Sequence, residues 1–134
     1  MVKDFENLGI WQKARELNKA IYPITRRGEM KFDTRFVQQI RAAAGSVMDN
    51  IAEGFERNGN KEFINFLFIA KGSCGELRSQ IVRAFDVGYV SAEEYNNLYS
   101  ECRKLSASIM IFIQELKKSD MKGAKYKAQD AQGA

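Results

Sequence analysis

The chain has 134 residues, 45% of them hydrophobic, enough for one domain with a real core. Its net charge is +4, but residues 117–134 hold five lysines against two aspartates, so +3 lies in that segment and only +1 in residues 1–116. There is no histidine, which excludes imidazole acid–base chemistry, and two separated cysteines, Cys74 and Cys102, do not make a structural zinc site.

Four segments carry a helical period and none shows sustained alternation. The first is predicted over about residues 6–24, with Ile10, Ala14, Leu17, Ile21 and Ile24 on one stripe and Trp11 and Tyr22 at its edge. Pro23 marks its end, and TRRGEMKFD connects it to the second. That helix is predicted over 34–57, capped by Asp33 or Thr34, with Phe36, Ile40, Ala43, Val47, Ile51 and Gly54 inward. NGN at 58–60 is a turn, with Asn60 a cap for the third helix, predicted over 61–86. Its stripe is Phe63, Phe66/Leu67, Ala70, Cys74, Leu77, Ile81 and Ala84/Phe85, and Gly88 suits a left-handed C-terminal position. Ser91 and Glu94 spell a capping box for the fourth helix, which carries Tyr95, Leu98, Cys102, Leu105, Ile109, Phe112/Ile113 and Leu116 and is predicted to end near Lys118.

Amphipathic helices joined by short loops predict an all-α, antiparallel up-down-up-down four-helix bundle over residues 1–118. Residues 119–134 are predicted to form a disordered basic tail. No apolar run approaches the ~20 residues that span a bilayer, and MVKDFENLGI lacks the apolar stretch of a signal peptide. The expectation is a cytoplasmic protein, without membrane partner, cofactor or small-molecule substrate, whose cysteines are buried free thiols.

Two faces fall outside the core stripes. On the third helix, Ile64, Phe68, Gly75 and Val82 form a second apolar face, read as a candidate oligomer interface. On the second, Gln39, Ser46, Asn50, Glu53 and Arg57 share one flank, roughly 220–280° from Ile40 at 100° per residue. As a reaction site this flank would use Glu53 as general acid or base and Arg57 as a clamp, but no second carboxylate stands three or four residues from Glu53 and no nucleophile motif is present. It is read instead as a structural polar seam, joined by Ser73 and Glu76 of the third helix, with Glu76 expected to meet Arg41 or Arg57. Gly72 and Gly75 in AKGSCGEL lack the spacing of a phosphate loop and are read as points of close helix packing.

IWQKARELNKAIY at 10–22, the run from Gln38 to Ile81 containing NIAEG, and GYVSAEEYNNL at 88–98 give the chain a specific likeness. It resembles the four-helix bundle proteins encoded within intervening sequences of bacterial 23S ribosomal RNA genes, a family that includes the accessory variability determinant proteins of diversity-generating retroelements. The resemblance covers about residues 5–116. It implies a homopentamer of small bundles and, from the retroelement members, binding of nucleic acid and of a reverse transcriptase through basic surfaces. Gln39, Arg41, Ser46, Asn50, Glu53, Gly54, Arg57, Glu62, Phe63, Ser73 and Glu76 match motif positions. Ala42 stands where the family often has a second arginine, which removes one candidate phosphate contact.

The expectation is therefore a non-enzymatic, self-assembling bundle. Lys13, Lys19, Arg26, Arg27, Lys31, Arg35 and Arg41 are its candidate contacts to RNA or DNA. The alternative is a protein-interaction scaffold or an accessory subunit for a reverse transcriptase.

Overall fold

The computed structural model describes residues 2–133, with side chains described through Asp120. It contains α1 (Gly9–Thr25), α2 (Thr34–Glu56), α3 (Asn60–Asp86) and α4 (Ala92–Gly133). Single 3₁₀ turns at Phe5–Asn7 and Met30–Phe32 flank α1, and no strand occurs among the described residues. No described helix is long and apolar enough to cross a membrane.

Each helix packs on its neighbours in the chain, and α1 closes the ring against α4, while the backbones of the diagonal pairs α1–α3 and α2–α4 stay farther apart, with no Cα pair within 8 Å among the described residues. The direction follows from the partners. Ser46 meets Ser73, and farther along α2 the backbone of Gly54 lies against Phe63 and Phe66. Likewise Phe63 meets Phe112, Cys74 meets Cys102, and Phe85 meets Tyr95. As one helix ascends the other descends, which is the antiparallel up-down-up-down bundle.

The core is built from the stripes read in the sequence. Ile10, Ala14, Leu17, Ile21 and Ile24 of α1 are buried against Phe36, Ile40, Val47 and Ile51 of α2, Leu67, Leu77 and Ile81 of α3, and Leu105, Ile109 and Ile113 of α4. Cys74 and Cys102 are buried free thiols inside it. The Cys74 thiol donates to the Cys102 carbonyl at 3.3 Å. The neighbouring Cys74 sulfur and burial together push the Cys102 thiol up, so it stays protonated.

Local chemistry sets the ends. Asp33 caps α2 by accepting from the Phe36 N–H. Ser91 and Glu94 form the expected reciprocal box, at 3.1 and 2.8 Å. Gly88, at φ 81, closes α3 with Tyr89 N–H donating to Ala84 C=O and Gly88 N–H to Phe85 C=O. At α3 the cap is Gly59, at φ 111, and Asn60 is the first helical residue rather than the cap. A left-handed turn residue there is open to glycine and strained for asparagine.

Two further expectations change. The backbone of α4 stays helical beyond Lys118 to Gly133, because no proline interrupts a segment rich in Lys, Ala and Gln. The expected tail of 119–134 falls mostly on residues whose side chains lie outside those described. Gly72 and Gly75 are not points of close packing within the chain, since an added Cβ at either would meet nothing within 4 Å. Close approach occurs at Gly54 instead, where a Cβ would lie 2.6 Å from Phe66 Cβ and 3.0 Å from Phe63 Cδ1.

Candidate nucleic-acid interface

Antiparallel packing brings the α1–α2 connection, the first turn of α2, the last turn of α3 and the start of α4 to one end of the bundle. Four of the seven cations picked out in the sequence, Arg26, Arg27, Lys31 and Arg35, lie there. Lys13 and Lys19 lie on α1, so the seven do not form one patch, while Arg41, on α2, shares the Tyr22 ring with Arg26.

Their partners separate them further. Arg27 donates to Glu94 Oε1 at 2.6 Å, tying the α1–α2 connection to α4. That contact, with the Ser91 backbone N–H second, holds the Glu94 carboxyl down at about 2. Arg41 donates twice to Thr25 Oγ1, at 3.0 and 2.8 Å, and its Cζ stands 4.5 Å from the Tyr22 ring centroid. Thr25 is buried and its hydroxyl donates to the Tyr22 carbonyl at 2.7 Å. Arg41 is thereby a clasp between the end of α1 and α2. Lys13 reaches Ser108 Oγ across α1 and α4 at 3.5 Å, and Lys19 pairs with Glu16 at 3.6 Å on the surface. Arg26 lies over Tyr22 and Lys31 over Phe32, whose ring is 77% exposed.

Arg35 faces a hollow of about 430 Å³ together with Asp33, Phe36, Gln39 and Arg83. Arg83 was not apparent from the sequence, where a cation in the last turn of a helix reads as a dipole partner. No spacing signal relates it to Arg35, since the two meet only because α3 runs back along α2.

The polar seam is real at its centre. Ser46 Oγ and Ser73 Oγ share a hydrogen bond at 2.8 Å across α2 and α3, and Asn50 Nδ2 donates to Ser46 O and Oγ at 2.8 and 2.9 Å. Glu53 and Arg57 pair at 2.9 Å, exposed, one turn farther on. Glu76 does not meet Arg41 or Arg57; it accepts from Gln80 Nε2 at 3.3 Å, because those arginines are held by Thr25 and Glu53. Gln39 is exposed and belongs to the arginine hollow rather than to the seam.

The candidate oligomer face also divides. Ile64 is 9% exposed and packs into the bundle's own core, which removes it from the face. Phe68 is 43% exposed, with Lys117 Nζ 5.3 Å from its ring centroid, and Ile69, missed in the sequence reading, is 52% exposed. Gly75 and Val82 are half-buried.

A protein-family model described as 23S rRNA-intervening sequence protein matches residues 6–110. No curated protein matches the chain. Among solved structures, a protein of unknown function from the S23 ribosomal protein family of Bacteroides thetaiotaomicron is similar in fold at a TM-score of 0.71. It is 20% identical, over 78% of this chain and 97% of that one.

Proposed function

Because the chain belongs to the 23S rRNA-intervening sequence protein family, we propose that it is a non-enzymatic bundle that assembles with copies of itself and presents the cation-bearing end of the bundle to RNA or DNA. The observation that carries the assembly is the solvent side of α3. Phe68 and Ile69 stand exposed there beside Gly72 and Gly75, which have no neighbour to explain the loss of a side chain. Glycine in a helix interior costs about 1 kcal/mol relative to alanine. A second helix lying close over that face would account for the glycines and cover the two apolar side chains. The size proposed is the pentamer implied by the resemblance stated above.

The reading as a non-enzyme is supported by the best acid–base candidate. Glu53 is an exposed partner of an exposed arginine, with no water-excluding site around it. Nucleic-acid binding is supported by Arg26, Lys31, Arg35 and Arg83 at one end, and by the ribosomal RNA context in the family's description.

Light scattering tests the assembly. Wild type is expected as an oligomer and Phe68→Glu as a monomer of unchanged helical content; an oligomer unchanged by the variant overturns the placement. Titration with RNA and with DNA at low salt tests binding, and affinity no higher than that of an unrelated protein of equal charge overturns it.

A second reading, a scaffold for a protein partner, is favoured by one feature. Between α1 and α4, the thinnest seam of the ring, lies a groove of about 520 Å³ with Leu17, Ala20 and Leu98 on its walls. Ala20→Glu, at an exposed position on the groove wall, would abolish capture of such a partner from nuclease-treated lysate while leaving nucleic-acid affinity unchanged.

A further inference from the structure

We infer that the hollow between the start of α2 and the end of α3 is an oxyanion subsite that takes one phosphate group, in the assembly the phosphodiester of a bound RNA strand. The inference rests on the nucleic-acid reading above and narrows it to two residues, one of which, Arg83, was not among the cations picked out from the sequence.

The hollow is lined by Asp33, Arg35, Phe36, Gln39 and Arg83. Arg35 and Gln39 are four residues apart on α2 and so share a face. Arg83 comes from α3, its Cζ 4.7 Å from the Phe36 ring centroid. Stacking occupies the face of a guanidinium and leaves the N–H groups along its edge for an acceptor. Neither Arg35 nor Arg83 has a carboxylate within 4.0 Å among the described residues, whereas Arg27 and Arg57 do.

The acid in the hollow is already committed. Asp33 Oδ1 accepts from the Phe36 N–H at 3.4 Å and Oδ2 accepts from the Tyr89 hydroxyl at 2.8 Å. Asp33 thus caps α2 and fastens the α3–α4 turn without neutralising either arginine by direct contact. Of the first-turn N–H groups of α2, those of Phe36 and Val37 are taken by Asp33, leaving those of Thr34 and Arg35 at the positive end of the helix. Asp86 lines the adjoining hollow with Arg83 and limits the excess of positive charge. Two fork-shaped donors, a neutral amide and a modest net charge suit a singly charged phosphodiester, whose free oxygens accept paired N–H groups.

The test compares wild type, Arg35→Gln, Arg83→Gln and Arg83→Lys with Lys104→Gln, which removes a charge from the exposed face of α4. Affinity for a fluorescent oligouridine is read by anisotropy across a salt series. Each Gln variant is expected to weaken binding about three- to tenfold and to flatten the log–log salt slope by about 0.7. Arg83→Lys falls between, because the charge is kept and the fork is lost, and Lys104→Gln stays near wild type. Arginine variants that behave like Lys104→Gln overturn the subsite while leaving nucleic-acid binding intact. If wild type binds no RNA, the nucleic-acid reading fails by itself. Inorganic phosphate then decides the subsite: shifts of the Arg35 and Arg83 Nε–H signals in NMR sustain it for a free anion, and unshifted signals overturn it.

Discussion

Gly54→Ala is expected to destabilise the bundle although alanine is the better helix former. The new Cβ would lie 2.6 Å from Phe66 Cβ, 3.0 Å from Phe63 Cδ1 and 3.4 Å from the Phe63 carbonyl oxygen. The first contact is between two Cβ atoms, so no flexible chain end can swing aside and the backbones of α2 and α3 must separate. Inserting a methyl group into so close a contact costs about 1–3 kcal/mol. The propensity gain of up to about 1 kcal/mol is reduced here, because Gly54 lies two residues from the end of α2. The net loss is about 1–2 kcal/mol, which for a domain of this size lowers Tm by about 4–8 °C. Thermal unfolding at matched protein concentration measures it, since assembly makes Tm concentration-dependent. A Gly54→Ala protein as stable as wild type, or more so, would falsify the close-approach reasoning.

Gly72→Ala gives the opposite sign. In the Phe68→Glu background it is expected to stabilise by up to about 1 kcal/mol, since the added Cβ meets nothing, and urea unfolding reads the gain; a loss would show that α3 is constrained there within one chain. Glu94→Gln keeps the capping geometry and removes the charge paired with Arg27. Because the folded Glu94 carboxyl sits at about 2, below its ordinary value of 4.5, its contribution is present above about pH 4.5 and is lost as pH falls towards 2. The variant should therefore show a shallower decline of stability between pH 5 and pH 2 than wild type, by under about 1 kcal/mol for so exposed a pair, and parallel declines would remove Glu94 from the account. Arg41→Ala strips both hydrogen bonds from Thr25 and uncovers Tyr22; a loss of about 1–3 kcal/mol in urea unfolding is expected, and no loss would return Arg41 to the set of free surface cations.

The helices were legible because each buries a stripe at helical spacing, and a stripe such as Ile10, Ala14, Leu17, Ile21 and Ile24 has one solution. The ends were legible where a side chain acts within its own turn, as with Asp33, or Ser91 and Glu94. Gly59 displaced Asn60 as the cap because the turn needed a positive φ, which an N-cap preference does not report. Pairings between helices were legible only when both partners lay near the core. Ser46 and Ser73 were grouped correctly, whereas Glu76 was assigned to arginines that the structure gives to Thr25 and Glu53. A helical wheel gives the direction of a side chain but not its height along a neighbour, so it grouped Ile64 with Phe68 although the first is buried and the second exposed.

The motif that carries the resemblance and the surface that would bind a ligand are different parts of this chain. NIAEG places Asn50 on Ser46, Ile51 in the core and Gly54 against Phe66, so its residues set how closely α2 and α3 approach. Such positions tolerate little change because interiors are close-packed. The cations, by contrast, divide by geometry. Arg27 and Arg41 are tied to Glu94 and Thr25 and hold the α1–α2 connection in place. Replacing either would move that connection as well as remove a charge, so a loss of binding in those variants would not identify a phosphate contact. Arg35 and Arg83 form no carboxylate pair among the described residues and face one hollow. They are positions at which charge can be removed without breaking an ion pair, and so at which a binding measurement reads the ligand more than the scaffold.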